Sequence, residues 1–160
     1  MIFRKKKILI FTSLFAGIFL LLFLYQLGIF SEKVTPQYKY TDAEVSIRDA
    51  VFSVHVADTP EEQVQGLSFQ ESLPEYSGVW FAFDSPSPRG FWMKDMLFPI
   101  DIIWLNSAMQ VVHVEHSLTP DTYPQTFAPP VSAQFVLEIR AGLAEREGIV
   151  VGDSASITFR

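Results

Sequence analysis

Twenty-four consecutive residues without a charge, Ile8 to Ser31, constrain this chain more than any other feature of it. Within them, Ile8–Leu24 interrupts its Leu, Ile and Phe only with Thr12, Ser13, Ala16 and Gly17. As a helix rising about 1.5 Å per residue the stretch is about 36 Å long, which crosses a hydrocarbon core of about 30 Å with some tilt. Soluble helices are seldom apolar on every face over such a length. Arg4, Lys5, Lys6 and Lys7 stand before the run, and positive charge at a membrane end stays cytoplasmic. A cleaved signal peptide, the competing reading, wants an apolar core of about 7–15 residues and a small-x-small site. Here the run is longer and ends in Gly28-Ile29-Phe30-Ser31-Glu32. The expectation is a single-pass, uncleaved anchor in the cell membrane. Residues 1–30 are the cytoplasmic basic end and anchor helix, with the membrane crossed by residues 8–30. Residues 31–44 are a polar tether, and residues 45–160 are an extracytoplasmic domain.

After residue 30 there are eight basic residues and eighteen acidic ones, a formal net of −10. A nucleic-acid partner needs a basic footprint, so that class is disfavoured. Docking onto an anionic bilayer is disfavoured for the same reason. The chain has no cysteine, which excludes disulfides, thiol catalysis and Cys-based metal sites. The outer domain must be held by its apolar core alone, which a domain of this size can supply.

Phe52-Ser53-Val54-His55-Val56 alternates with period two and predicts a half-buried strand. Thr59-Pro60-Glu61-Glu62 follows, with a cap, a first-turn proline and acids suited to the helix dipole. It predicts a short helix to about Leu67 with Val64 and Leu67 inward. Val79–Phe83 is apolar on both faces and reads as a central strand. Residues 84–90 read as a loop, and Phe91–Lys94 as the start of a strand. Ile100–Leu105 and Gln110–Glu115 read as a hairpin across Asn106-Ser107-Ala108. Residues 117–133, with four prolines, read as a long loop of the kind that is functional or mobile. Phe135–Ile139, a short helix or turn at Ala141–Gly148, and Ala155–Phe159 complete the chain. The fold class expected is mainly β: a single β-sandwich or partly open barrel with one or two short helices, behind a transmembrane helix.

Three segments resemble the domain-of-unknown-function family 192. The first is Val56-Ala57-Asp58-Thr59-Pro60-Glu61-Glu62, continued by Gln65-Gly66-Leu67-Ser68-Phe69 and Leu73-Pro74. The second joins Gly78-Val79-Trp80-Phe81-Ala82-Phe83 to the block running from Phe91-Trp92-Met93-Lys94 through Phe98-Pro99-Ile100-Asp101 to Leu105. The third is Phe135-Val136-Leu137-Glu138-Ile139 with Ala141-Gly142, Gly148-Ile149 and Gly152-Asp153. The resemblance covers roughly residues 50–160. It implies a compact mainly β domain, often behind a signal peptide or anchor, and carries over no catalytic role. Two departures stand out. The family pattern usually continues Met-Lys with Asn-Thr, where this chain has Asp95-Met96. The proline-rich loop often carries cysteines in relatives and has none here.

Charges set inside apolar runs are costly to bury unless paired. Lys94 follows Phe91-Trp92-Met93, Asp101 sits inside Phe98–Ile103, and Glu138 interrupts Val136–Ile139. The functional reading places Lys94, Asp101 and Glu138 around a pocket beside Trp92, whose ring offers an apolar face. The alternative is a structural ion pair between Lys94 and Asp101, or two charges at strand ends facing water, with Glu138 as another candidate partner of Lys94. His116 opens the proline-rich loop and Tyr123 lies within it; that loop could be a lid, a docking strip or a plain crossover. The candidate ligand-binding residues are therefore Trp92, Lys94, Asp101, Glu138, His116 and Tyr123. His113 and His116 are three apart, which on a strand puts them on opposite faces, and there is no His-Glu-x-x-His. No metal, cofactor or catalytic residue is assigned, since neither a Gly-x-Ser-x-Gly nor a Ser-x-x-Lys motif occurs. The expected role is a non-enzymatic module binding a small polar or carbohydrate-like ligand. A module docking another envelope protein is the alternative, and an unrecognised hydrolase trails both.

Overall fold

The computed structural model describes residues 42–160, so the anchor at 8–30 and most of the tether lie outside the described residues. Among the described residues no helix is long and apolar enough to cross a membrane. The domain is mainly β, with nine strands. They are β1 (Ala43–Ile47), β2 (Ala50–Ala57), β3 (Ser77–Ser87), β4 (Phe91–Trp92), β5 (Ile100–Leu105), β6 (Val111–Leu118), β7 (Thr126–Phe127), β8 (Ala133–Arg140) and β9 (Ala155–Phe159). Two short helices, α1 (Pro60–Gln65) and α2 (Leu143–Arg146), complete it with a 3-10 turn at Pro120–Thr122.

Seven strands form one mostly open sheet in the order β6-β5-β8-β3-β2-β1-β9, and β4 pairs with β7 apart from it. A two-sheet sandwich is thereby set aside. The β2–β3 pair is parallel and the other pairs are antiparallel. A single bridge between Gln110 and Ser154 links the ends of the sheet. Alternate side chains of each strand fall on opposite faces, and both faces are covered. Phe52, Trp80, Ile103, Leu137 and Leu143 belong to the core on one face, with α2 over it. Val79, Phe81, Ile102, Trp104 and Val136 belong to the core on the other, closed by Leu67, Met93 and Met96. The central strands are buried on both sides, so β5 is buried at all six positions and reads as a continuous apolar run.

α1 begins as expected. Thr59 caps it through the Glu62 amide, and the Glu62 side chain returns to the Thr59 backbone, a complete capping box behind Pro60. It ends earlier, at Gln65, because Gly66 leaves helical geometry at φ 45, ψ −132. Leu67 is buried as predicted, but Val64 is turned outward and is 79% exposed. With fewer than two turns of helix, inward and outward positions are set by the chain beyond Gly66 and not by helical periodicity. Three boundaries also move. β1 starts at Ala43, inside the segment assigned to the tether; β3 continues to Ser87, into the expected loop; the strand at Phe91 stops at Trp92. The proline-rich loop is partly structured. It supplies β7, whose Phe127 and Thr126 pair with Phe91 and Trp92.

Candidate functional site

A cleft of about 450 Å³ opens on the Leu67 side of the sheet. One wall is α1 and the turn after it, from Gln63 and Val64 to Ser68. The floor is Phe81 and Phe83 of β3 with Glu138 of β8, and the opposite wall is the segment Pro88–Trp92 with Met96. Named hydrogen bonds fix these walls. Gln63 Nε2 donates to the Ala82 carbonyl at 2.8 Å, pinning α1 to β3. Ser68 Oγ donates to the Lys94 carbonyl at 2.9 Å and the Phe69 amide to the Asp95 carbonyl at 2.8 Å, tying the turn after α1 to the segment after β4. Trp104 Nε1 donates to the Arg89 carbonyl at 2.9 Å, holding the loop that carries Arg89.

Glu138 is the chemical centre of the cleft. It sits mid-sheet, opposite Val79 on β3 and Ile102 on β5, with only 4% of its surface exposed. Its Oε2 is buried with no hydrogen-bond partner. Burial pushes its pKa up from 4.5 to about 8, against the opposing pull of the Leu67 amide. At neutral pH the group is therefore mostly a carboxylic acid, able to donate one hydrogen bond and to accept others. Gly66 leaves room beside it: a Cβ there would stand 3.2 Å from Phe81 Cζ and 3.4 Å from Glu138 Oε2.

Trp92 lines the cleft and is 50% exposed. The Lys94 ammonium lies 5.8 Å from its ring centroid, and the exposed Tyr123 ring meets it edge-on at 6.1 Å. Arg89 was not singled out by its sequence context. Its guanidinium carbon stands 4.0 Å from the Phe83 ring centroid, its Nη2 donates to the Ser85 carbonyl at 2.8 Å, and its Nε is buried without a partner.

Of the six residues singled out from the sequence, Trp92 and Glu138 line the cleft, and Lys94 and Tyr123 flank Trp92. Asp101 and His116 do not join them. Asp101 is fully buried on the opposite face of β5, where Oδ1 accepts the Ser117 and Gly142 amides and Oδ2 accepts the Ala144 amide. Three backbone donors satisfy this charge without a cation, so the expected pocket shared by Lys94 and Asp101 is replaced by a clasp joining β5, β6 and α2. His116 is exposed, in the irregular stretch of β6 where the pairing with β5 shifts register. Lys94 is exposed and makes no ion pair with Glu138, so the alternative of a structural pair between them is also set aside. Among the described residues no group of three or more His, Asp or Glu is arranged to hold a metal ion.

The sequence signals for the missed residues were weak. Arg89 stood in a Pro-Ser-Pro-Arg-Gly loop, Gly66 fell inside the helix expected to run to about Leu67, and Val64 read as core. An arginine placed between Pro88 and Gly90 in so acidic a domain was the one available hint.

Solved structures share this architecture. A protein of unknown function from Novosphingobium aromaticivorans is 30% identical over 71% of this chain and 83% of its own, with a TM-score of 0.67. A putative transcription regulator from Sinorhizobium meliloti is 23% identical over 75% of this chain and 96% of its own, with a TM-score of 0.70, a likeness of fold. No curated protein matches the chain. The family model of DUF192, described as Uncharacterized ACR, matches residues 43–157, and the chain belongs to that family.

Proposed function

We propose that this chain is a membrane-anchored, extracytoplasmic binding module whose cleft takes a small carbohydrate-like ligand. The unpartnered Oε2 of Glu138 carries the reading. A buried polar atom without a partner costs about 1–3 kcal/mol, and a hydroxyl of a bound ligand would recover that cost. The surroundings suit a sugar. A neutral carboxyl exchanges hydrogen bonds with hydroxyl groups, and the half-exposed Trp92 offers a ring face to the C–H side of a pyranose. The volume fits a ligand of one or two rings. The uncharged stretch Ile8–Ser31 and the preceding basic residues support anchoring with this domain outside.

Intrinsic fluorescence of the full-length protein in detergent tests the reading, because Trp80 and Trp104 are buried and Trp92 is exposed. Monosaccharide and disaccharide titrations should change the exposed tryptophan's emission and its quenching by acrylamide. Trp92→Phe removes the reporter, so binding to that variant is followed by calorimetry. Glu138→Met, which keeps the shape of the side chain, should abolish binding. Sugars that bind the Glu138→Met protein as well as the wild type, or no response to any sugar, would overturn the reading.

The alternative, docking of another envelope protein, is favoured by one observation. Val64 on one cleft wall and Trp92 on the other are both exposed apolar side chains, and apolar groups brought together in this way supply the core of an interface. A Val64→Ser variant that leaves sugar titrations unchanged but loses a co-purifying envelope protein would favour that reading.

A further inference from the structure

Arg89 supplies a second feature of the cleft, separate from Glu138. Three other arginines of the domain have carboxylate partners: Arg48 with Asp153, Arg146 with Glu75, and Arg160 with Glu44. Arg89, in a domain rich in carboxylates, forms no such pair among the described residues. Its contacts are the Phe83 ring and the Ser85 carbonyl, and its Nε–H is buried and unpartnered. Stacking on Phe83 and the hydrogen bond from Trp104 Nε1 to its own carbonyl fix the position of the side chain. A planar guanidinium held in this way is organised in advance for a carboxylate.

We infer that the ligand is an acidic sugar of the uronic-acid type, its carboxylate received by Arg89 and a ring hydroxyl by Glu138. The inference rests on the proposed binding role of the cleft and names its substrate class. Charge complementarity supports it. Among the described residues Arg89 and Glu138 are the only ionisable ones lining the cleft. With Glu138 held mostly protonated by burial at neutral pH, the lining carries one positive charge from Arg89. The exposed Lys94 near Trp92 adds another close by. A locally positive cleft in a domain of formal charge −10 after residue 30 is the arrangement that selects an anion at one place and repels anions elsewhere.

The test uses the full-length protein in detergent, with methyl β-D-glucuronide and methyl β-D-glucoside as a matched pair differing only in the carboxylate. Calorimetry should give at least tenfold tighter binding of the glucuronide, with an affinity that falls as NaCl rises while that of the glucoside does not. Arg89→Gln should remove the preference, weakening the glucuronide at least tenfold more than the glucoside. Arg89→Lys, which keeps the charge but loses the planar fork, should retain only part of the preference. Thermal unfolding of each variant checks that it is folded. The salt series on the wild-type protein decides the matter if neither variant folds. Equal affinity for both glycosides, or equal weakening of both by Arg89→Gln, would overturn the acidic-sugar assignment while leaving the binding cleft standing. Binding of neither glycoside would overturn the assignment as well, and failure of the wider sugar series would then remove the cleft reading separately.

Discussion

The Glu138 carboxyl lies against the space left by Gly66: a Cβ at residue 66 would stand 3.4 Å from Glu138 Oε2. A residue that ends a helix and a residue buried in the middle of a sheet, far apart in sequence, together shape one corner of the cleft. Position 66 is also restricted by its backbone, since φ 45 with ψ −132 is a conformation that residues with side chains rarely adopt.

Gly66→Ala therefore combines backbone strain with crowding of Phe81 and Glu138. We expect a loss of stability of about 1–3 kcal/mol, read by urea unfolding of the full-length protein. Sugar binding should weaken at the same time, as the methyl group enters the space beside Oε2.

Glu138 sets the pH dependence of stability. Its pKa is about 8 in the folded protein against an ordinary 4.5, so between these values the folded state holds a proton that the unfolded state has released. The wild type should be free of this penalty below pH 4.5 and lose stability as pH rises toward 8. The slope is about 1.4 kcal/mol per pH unit at most, and the loss levels off above the folded pKa. Glu138→Gln cannot ionise and should flatten this limb, being more stable than wild type by on the order of 3 kcal/mol at neutral pH. Thermal unfolding from pH 5 to 9 measures it; parallel pH profiles for the two proteins would contradict the assignment. On the acid side the sign reverses. Glu62 and Glu147 are held below the usual carboxylate range by hydrogen bonds from Thr59 and Tyr76 respectively, and their contribution is lost as pH falls.

Asp101 should behave as a structural clasp. Asp101→Asn puts an amide donor where an acceptor is needed and leaves at least one buried backbone N–H unsatisfied, at a cost of about 2–3 kcal/mol. Hydrogen exchange should quicken at the Ser117, Gly142 and Ala144 amides that now bond to it. Ligand affinity, measured on the folded fraction, should be unchanged, because the carboxylate faces away from the cleft. A selective loss of binding without loss of stability would return Asp101 to the site.

Thr59→Ala removes the hydroxyl that accepts from the Glu62 amide and donates to its carboxylate, and leaves only the bond from the residue 59 amide to Glu62 Oε2. It should cost about 1 kcal/mol and accelerate exchange at the Gln63 and Gly66 amides, which bond to the first residues of the capped turn. Because Gln63 and Val64 belong to the cleft wall, sugar affinity should fall modestly without being lost.

The strand-rich class, the capped start of α1, the hairpin at Asn106–Ala108 and the unusual settings of Trp92 and Glu138 are all legible in the chain's local pattern. Each of these rests on local chemistry: alternation, capping residues, turn residues, or a charge inside an apolar run. Which of those charges face the cleft depends on long-range packing. Asp101 and Glu138 have similar local patterns, but neighbouring positions on a strand point to opposite faces, and what waits there is set by distant segments. Asp101 meets the backbone amides of residues 117, 142 and 144, whereas Glu138 meets one amide from Leu67 and keeps a buried Oε2 without a partner. Arg89 likewise takes its place in the cleft wall through Phe83 and Trp104, partners that local sequence does not reveal. Burial and hydrogen-bond satisfaction depend on what long-range packing brings alongside a residue, and that is why the tertiary fold, and not the local pattern, separated scaffold from site.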